Sequence, residues 1–517
     1  MQNSLFIRRL SVTLLAVVFS THTFAEQVMV PPELLQQLTT LAQRVQQLEK
    51  RVVEQDQQLA AAQRSTAQPA VAQNADTQAL EQRLLIMERK QEMMAYEKKK
   101  APVILAGGEK GFGLQSADGD FELRFRGLIQ ADARSFDSTD SINDNFLMRR
   151  VRPTIEGKFN DTYGFKLTTD FGNGISGSSH LTDAYIDANY DPAYKVRVGK
   201  FTPGLSLYRL QSSSDTKLNE LGLSSNFLPS RDQGVQLSGD LFDKRLNYSI
   251  GLFNGANDSA NGSEDSNTDK EINARLFATP FANTSGALQG LGFGVGMSTT
   301  DASGKTGATS LAGYKTFGQE TFFSYRKDTS SSNTVFADGE RTRLVPQFSY
   351  YNGPFGLTGE YVFEEQDVTR VFGAAPNDQR TAGLDNSGWD ITASYVLTGE
   401  KAAGGKSIKP AKPFDPAKGN WGAWEVVAGV GEMDLDKNIF LDSSGTLAGN
   451  DNFAQATSAA KQAQNYAVGL NWYPNNILRV SLDYSDTNFK WGGGGTATAP
   501  DDRDNERVLM GRVQASF

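Results

Sequence analysis

The sequence predicts an all-β transmembrane barrel of about 16 antiparallel strands, with an N-terminal periplasmic α-helical coiled coil in front of it. Three observations predict this. Stretches of alternating apolar and polar or charged residues recur from residue 121 to the end. Very short turns and long polar connections separate them in alternation. The chain also opens with a segment that reads as an export signal.

The export segment comes first. Arg8 and Arg9 precede an apolar run, Leu10 to Phe19, and Thr23-Phe24-Ala25 places small residues three and one positions before a cut. The run is shorter than the roughly 20 apolar residues that a membrane-spanning helix needs. Residues 1–25 therefore read as a secretory signal peptide, and the mature chain is expected to start near Glu26. No later apolar stretch approaches spanning length. A mean hydropathy of -0.43 with 38% hydrophobic residues would suit a soluble secreted protein. It suits a barrel equally, because each strand shows only alternate residues to lipid, so periodicity has to decide. Cysteine is absent, which a closed, fully hydrogen-bonded barrel tolerates. The net charge of -9 argues against a nucleic-acid partner.

Residues 26–100 carry a heptad pattern. Leu34, Leu38, Leu41, Val45, Leu48, Val52 and Leu59 fall on alternating four- and three-residue steps after Pro31 and Pro32. An Ala/Gln-rich interruption with Pro69 follows, and then a weaker seam at Leu80, Leu84, Met87 and Met94. Lys98, Lys99 and Lys100 close it, as suits a helix C-terminus. The pattern predicts a coiled coil between subunits, acting as a periplasmic spacer or a contact to the cell wall. A single amphipathic helix packed on its own domain is the alternative. Residues 101–120 read as a linker and 121–517 as the barrel.

From residue 121 the period falls to two. Phe121, Leu123, Phe125, Gly127 and Ile129 alternate with Glu122, Arg124, Arg126, Leu128 and Gln130. Leu478, Val480, Leu482 and Tyr484 alternate with Arg479, Ser481, Asp483 and Ser485. Short turns stand at 160–162, 191–193, 243–245, 352–354 and 474–476, with long polar loops between them. The connections 280–290 and 399–420 fall on the short side yet are longer. Strands are expected to start near 121, 146, 163, 182, 194, 233, 246, 271, 291, 342, 355, 388, 421, 464, 477 and 507. Glu320 to Lys327 is placed inside the fifth long loop. The last strand ends in Phe517 on its apolar face, which resembles the assembly signal of outer-membrane barrels.

A barrel of this size leaves an aqueous bore. Its inward face is expected to carry Arg124, Arg126, Arg134, Arg150, Arg152, Lys158, Lys195 and Arg197 from early strands, joined by Arg479 and Arg512 from late ones. Such a basic wall favours small anionic solutes. Against that, Glu122, Asp132, Glu156, Asp183, Asp187 and Asp240 share the inward phase, and the cations can instead neutralise them in lateral ladders. The loop 202–232 carries Arg209, Lys217 and Arg231 beside Ser212-Ser213-Ser214. Physics alone reads it as a surface loop with solvated cations rather than one folded into the bore.

Met148-Arg149-Arg150-Val151-Arg152, Asp183-Ala184-Tyr185-Ile186, Val196-Arg197-Val198-Gly199-Lys200-Phe201, Trp421-Gly422-Ala423-Trp424-Glu425 and Gly469-Leu470-Asn471-Trp472-Tyr473-Pro474 resemble the phosphate-selective porin O and P family. The resemblance runs from about residue 121 to the end and implies a homotrimer of 16-stranded barrels in outer-membrane lipid, passing anions with phosphate as the type substrate. It implies that Arg149 and Arg150 stand for the paired arginines of the second strand, and Arg209 for a lysine of the third loop. Leu128 and Leu221 stand where the family pattern carries arginine, and Thr182 where it carries aspartate.

Enzyme chemistry finds little support. The chain after residue 25 has one histidine, His180, no G-x-S-x-G turn, no cysteine and no metal-ligand cluster, so neither catalytic residues nor a cofactor or metal is expected. The runner-up function is a non-selective general pore whose coiled coil mainly tethers or spaces the outer membrane.

Overall fold

A computed structural model of the chain describes residues 50, 54, 73–100, 102–107, 111–137, 143–172, 180–262, 268–327, 334–373, 378–402, 404–447 and 449–517. The signal segment and the residues of the first heptad seam lie outside them. The second seam lies on a helix, α1 (Gln73–Lys100), on which Leu80, Leu84, Met87 and Met94 are exposed. Leu85, Ile86 and Met93 are exposed beside them, so the apolar side chains are not confined to one stripe. None of the described helices is long and apolar enough to cross a membrane.

Two short strands, β1 (Val103–Ala106) and β2 (Phe112–Gln115), follow. The strands β3 (Phe121–Phe136), β4 (Asn145–Phe159), β5 (Tyr163–Asp170), β6 (His180–Asp191), β7 (Tyr194–Phe201), β8 (Asp232–Leu241), β9 (Leu246–Phe253), β10 (Glu271–Ala278) and β11 (Leu291–Ser303) come next. A small loop sheet, β12 (Tyr314–Lys315) and β13 (Thr321–Phe323), interrupts them. Then come β14 (Val335–Asn352), β15 (Phe355–Val371), β16 (Gln379–Val396), β17 (Ala423–Asp434), β18 (Gln462–Tyr473) and β19 (Leu478–Lys490). A loop hairpin, β20 (Gly492–Thr496) and β21 (Ala499–Asp502), precedes the last strand, β22 (Glu506–Ser516).

Setting aside β1, β2 and the two loop sheets, 16 antiparallel strands pair each with its neighbour, and β22 pairs back onto β3. Closure leaves the wall of the barrel without an open edge. Strand starts agree with the alternation to within two residues except for β14 and β16, which begin at Val335 and Gln379 rather than near 342 and 388. Their early residues lie on the long-loop side, where neither face has to be apolar, so alternation gives no signal there. The segment Glu320 to Lys327 does lie within the fifth long loop, with β13 pairing only to β12.

The distribution of polarity is that of a water-soluble protein turned inside out. Along β19, Leu478, Leu482 and Tyr484 are exposed while Arg479, Ser481, Asp483 and Ser485 are buried. Such an outer face is stable only against hydrocarbon, since each Å² of apolar surface left in water costs about 25 cal/mol. On the short-turn side aromatic side chains gather as an interfacial girdle would: Trp424 stacks on Trp472 at 5.7 Å, and Phe414 meets Trp472 edge-on at 5.3 Å. The turn from β4 to β5 is tight because Asn160 and Asp161 both accept positive φ, 51° and 50°.

The segment 101–120 is more than a linker. Strand β2 pairs with the first part of β3 (Phe112↔Phe125), where β22 no longer reaches, and β1 pairs with β2. Ile104, Leu114 and Phe112 extend the exposed apolar face. Four-residue strands are too short for alternation to reveal. Gly111 makes the approach feasible: its φ is +70°, and a Cβ there would lie 2.1 Å from the Phe125 carbonyl oxygen.

Candidate functional site: the bore and its inward-folded loops

The connection 202–231 does not lie on the surface. The expectation of a solvated loop is overturned: the segment runs inside the barrel, and Leu205, Leu223, Phe227 and Leu228 are almost wholly buried. They pack with Tyr314 and Phe323 of the fifth loop and with Ile439, Phe440 and Phe453 of the connection 435–461. Burying four such side chains stabilises the inward position by on the order of 6–12 kcal/mol. The cations and the serine run of this loop suit solvent, and nothing in their pattern signals the burial of its apolar side chains. The glycines of the wall make room for it: a Cβ on Gly296 would meet the Leu205 carbonyl at 2.1 Å, and one on Gly429 would meet Leu218 at 2.8 Å.

Carboxylates of the wall hold the loop in place. Ser206 donates to both oxygens of Glu360 at 2.9 and 2.8 Å. The Leu223 and Ser224 amides donate to Asp390 at 3.1 and 2.7 Å, and the Asn219 amide donates to Asp483 at 2.6 Å. Lys217 Nζ lies 2.8 Å from Glu425, whose other oxygen accepts from Tyr473 at 2.7 Å. These acids, all pointing inward from β15 to β19, face loop rather than water.

The long connection on the short-turn side, 397–422, also enters the bore. Ile408 is buried against Val396, Ala423 and Tyr473. Ser407 donates through its amide and hydroxyl to Asp215 at 3.1 and 2.9 Å, and Lys217 donates to the Lys406 carbonyl at 3.2 Å. The two inward segments thus touch across the lumen.

On the other side of the loop an open cavity of about 770 Å³ remains. Its lining includes ten cationic side chains and three carboxylates, Glu156, Asp183 and Asp215. Six of the sequence-predicted residues are there: Arg124, Arg126, Arg152, Arg197, Arg209 and Arg479. Several are paired. Arg197 makes a two-pronged contact to Asp187 (2.7 and 2.9 Å) and lies 3.9 Å over the Tyr185 ring. Arg152 meets Asp170 at 2.7 Å and Ser213 at 2.9 Å, Arg126 meets Glu156 at 3.4 Å, and Arg124 pairs with Glu122. Arg209 donates to the Ser225 carbonyl and to Ser259 at 3.1 Å, and Arg479 to the Thr216 carbonyl at 2.7 Å and Gln514 at 3.2 Å. Neither forms a salt bridge among the described residues. Burial, assisted by Arg231, lowers Arg209 to about 10, which leaves it charged at neutral pH.

The remaining predicted residues lie elsewhere. Lys217 is buried on Glu425, and Lys195 faces Asp240 at 3.5 Å. Arg149, Arg150 and Arg512 gather on the long-loop side of the cavity around Glu220 of the inward loop. That Arg149 joins Arg150 on the inner face breaks the alternation. A bulge in β4, where Gln130 pairs with Arg150 and Ala131 with Met148, leaves Arg149 as the extra residue and turns two consecutive side chains inward. Residues not singled out from the sequence also line the cavity: Lys166, whose inward phase on β5 was readable, and Lys406 and Lys409, whose connection gave no signal beyond its length.

The profile of the family described as phosphate-selective porin O and P matches residues 121–517. No curated protein sequence matches the chain. Among solved structures the chain is similar to the outer membrane channel DcaP of Acinetobacter baumannii (11% identity, 78% of this chain and 99% of that one, TM-score 0.47). It is similar to a loop L8 deletion mutant of OmpT, an outer membrane protein of Vibrio cholerae (11% identity, 77% and 100%, TM-score 0.46). It is also similar to an anion-selective porin from Comamonas acidovorans (11% identity, 77% and 100%, TM-score 0.42). Through the profile that covers its whole barrel, the chain belongs to the phosphate-selective porin O and P family, and it is an outer-membrane channel for small solutes.

Proposed function

We propose that the channel passes small anions, phosphate among them, by passive diffusion. One observation carries this reading: ten cations against three carboxylates around the open cavity, in a chain whose overall charge is -9. In a confined bore this local excess attracts anions and repels cations. The guanidinium forks on β3, β4 and β7 suit oxyanions, because they present paired donors at fixed spacing. Each cation that pairs with a wall carboxylate weakens the effect, and a weakly selective pore is what such pairing alone would produce. Purified protein in planar bilayers under a salt gradient decides. A zero-current potential of the sign for anions is expected, with chloride current reduced by added phosphate; a potential of zero or of the cation sign overturns the reading.

We further infer a homotrimer in outer-membrane lipid, exported by residues 1–25 and joined on the periplasmic side by a coiled coil within 26–100. That segment would space the barrel from the cell wall. The heptad steps of Leu34 to Leu59 support this. Removing residues 26–100 from the mature chain, with sedimentation in detergent as readout, tests it: loss of the trimer is expected.

A further inference from the structure

Four arginines, from three adjacent strands, converge on a single carboxylate that belongs to none of them. Glu220 of the inward loop accepts from Arg149 at 2.7 and 2.9 Å and from Arg512 at 2.9 Å. Arg134 and Arg150 each stand 3.6 Å from it. Asp132 is the other acid of the group, held by Arg512 at 2.6 and 2.8 Å and by Arg134 at 3.1 Å. Four guanidinium groups therefore share two carboxylates. Arg134 and Arg512 are only 6% and 1% exposed, so water screens the excess poorly. The Nε atoms of Arg134 and Arg150 are buried without a hydrogen-bond partner among the described residues. Arg149, by contrast, keeps 20% of its side chain open to the bore.

Several planar forks around one small anion, with donors left over and positive charge in excess, form the arrangement that binds an oxyanion. Here the occupant is covalently attached to the chain. We propose that Glu220 is a tethered anion: it fills an oxyanion site of Arg134, Arg149, Arg150 and Arg512, and it competes there with permeating dianions such as inorganic phosphate. The proposal rests on the anion-channel reading and adds its regulation. A site that bound phosphate with all four arginines free would hold it too long for conduction, which needs binding weak enough to release. The carboxylate of the loop supplies the counter-charge between visits, and its displacement lets an anion enter without leaving the arginines unpaired.

The test is phosphate block of chloride conductance through the full-length channel in planar bilayers. Glu220→Gln keeps the shape and removes the charge. Its half-blocking phosphate concentration is expected to fall about tenfold below that of the unmodified protein. Glu220→Asp keeps the charge but shortens its reach and is expected to lie between the two; it also decides the matter if the glutamine variant does not fold. Block at the same concentration in both variants, with heat-stable barrels, overturns the tether. So does the absence of block in every channel. The zero-current potential of the unmodified protein, recorded separately, shows whether the anion-channel reading falls as well.

Discussion

On the wall from β15 to β19, Glu360, Asp390, Glu425 and Asp483 accept hydrogen bonds or ion pairs from the inward loop. On the wall from β3 to β8, Glu156, Asp183 and Asp187 pair with arginine or lysine on the wall or at its edge, and they still face the cavity or its rim. The first wall hides its negative charge beneath polypeptide. The second shows both signs with cations in the majority. The comparison teaches that the selectivity of a bore depends less on how many acids it has than on which of them are covered. On the proposed anion-channel reading, the formal charge of the chain is a poor guide to the ion it attracts.

The comparison can be broken most directly on the open wall. Arg126→Glu combined with Lys409→Glu changes the cavity charge by four, and the anion-to-cation permeability ratio is expected to drop about tenfold, read from the zero-current potential. The same swap made beneath the loop would not be expected to shift the potential comparably. On the covered wall, Asp390→Ala leaves two buried amides without acceptors, a loss of about 1–3 kcal/mol for each. Larger, noisier conductance and a lower unfolding temperature are expected there, whereas Asp187→Ala on the open wall should spare the loop. A third test uses pH. Burial opposes the charged form of Glu220, but Arg149, Arg150 and Arg512 hold its carboxyl well below the ordinary 4.5. A depressed group contributes its stability above the ordinary value and loses it only as pH falls through the lowered one. The difference in half-blocking phosphate concentration between Glu220→Gln and the unmodified protein, which reads the Glu220 charge alone, should therefore persist as the bath is acidified from neutrality to 4.5. The smallest effect is expected at the solvent-facing pair Lys195–Asp240: Lys195→Gln should alter stability by no more than about 1 kcal/mol, measured by denaturant or heat.

Much of the frame was legible because lipid enforces it. Leu478 to Ser485 must alternate in a two-faced wall, and the tight turns at 160–162 and 474–476 fix which end is which. The inward phase of Arg126, Arg152, Arg197 and Arg479 followed from the same rule. The interior of the bore obeys no such period. Leu205, Leu223, Phe227 and Leu228 read as loop residues because their burial depends on partners far along the chain, such as Tyr314, Ile439 and Phe453. Glu220 carries no sequence signal for the same reason: its four arginine neighbours come from strands at opposite ends of the barrel sequence. The bulge at Arg149 was hidden because one unpaired residue changes alternation only locally.

That bulge has a consequence for how the channel tolerates change in length. Upstream of it Phe146 and Met148 point outward, and downstream Val151 and Pro153 do, with Arg149 as the surplus residue. Removing Arg149 would restore strict alternation and leave every other side chain of β4 on its own side of the wall. Removing a residue between Phe146 and Pro153 other than one of this arginine pair would throw Arg150 and Arg152, or Phe146 and Met148, across the boundary between water and hydrocarbon. The Arg149-Arg150 pair is thus the point at which this strand can lose a residue while its neighbours keep their sides.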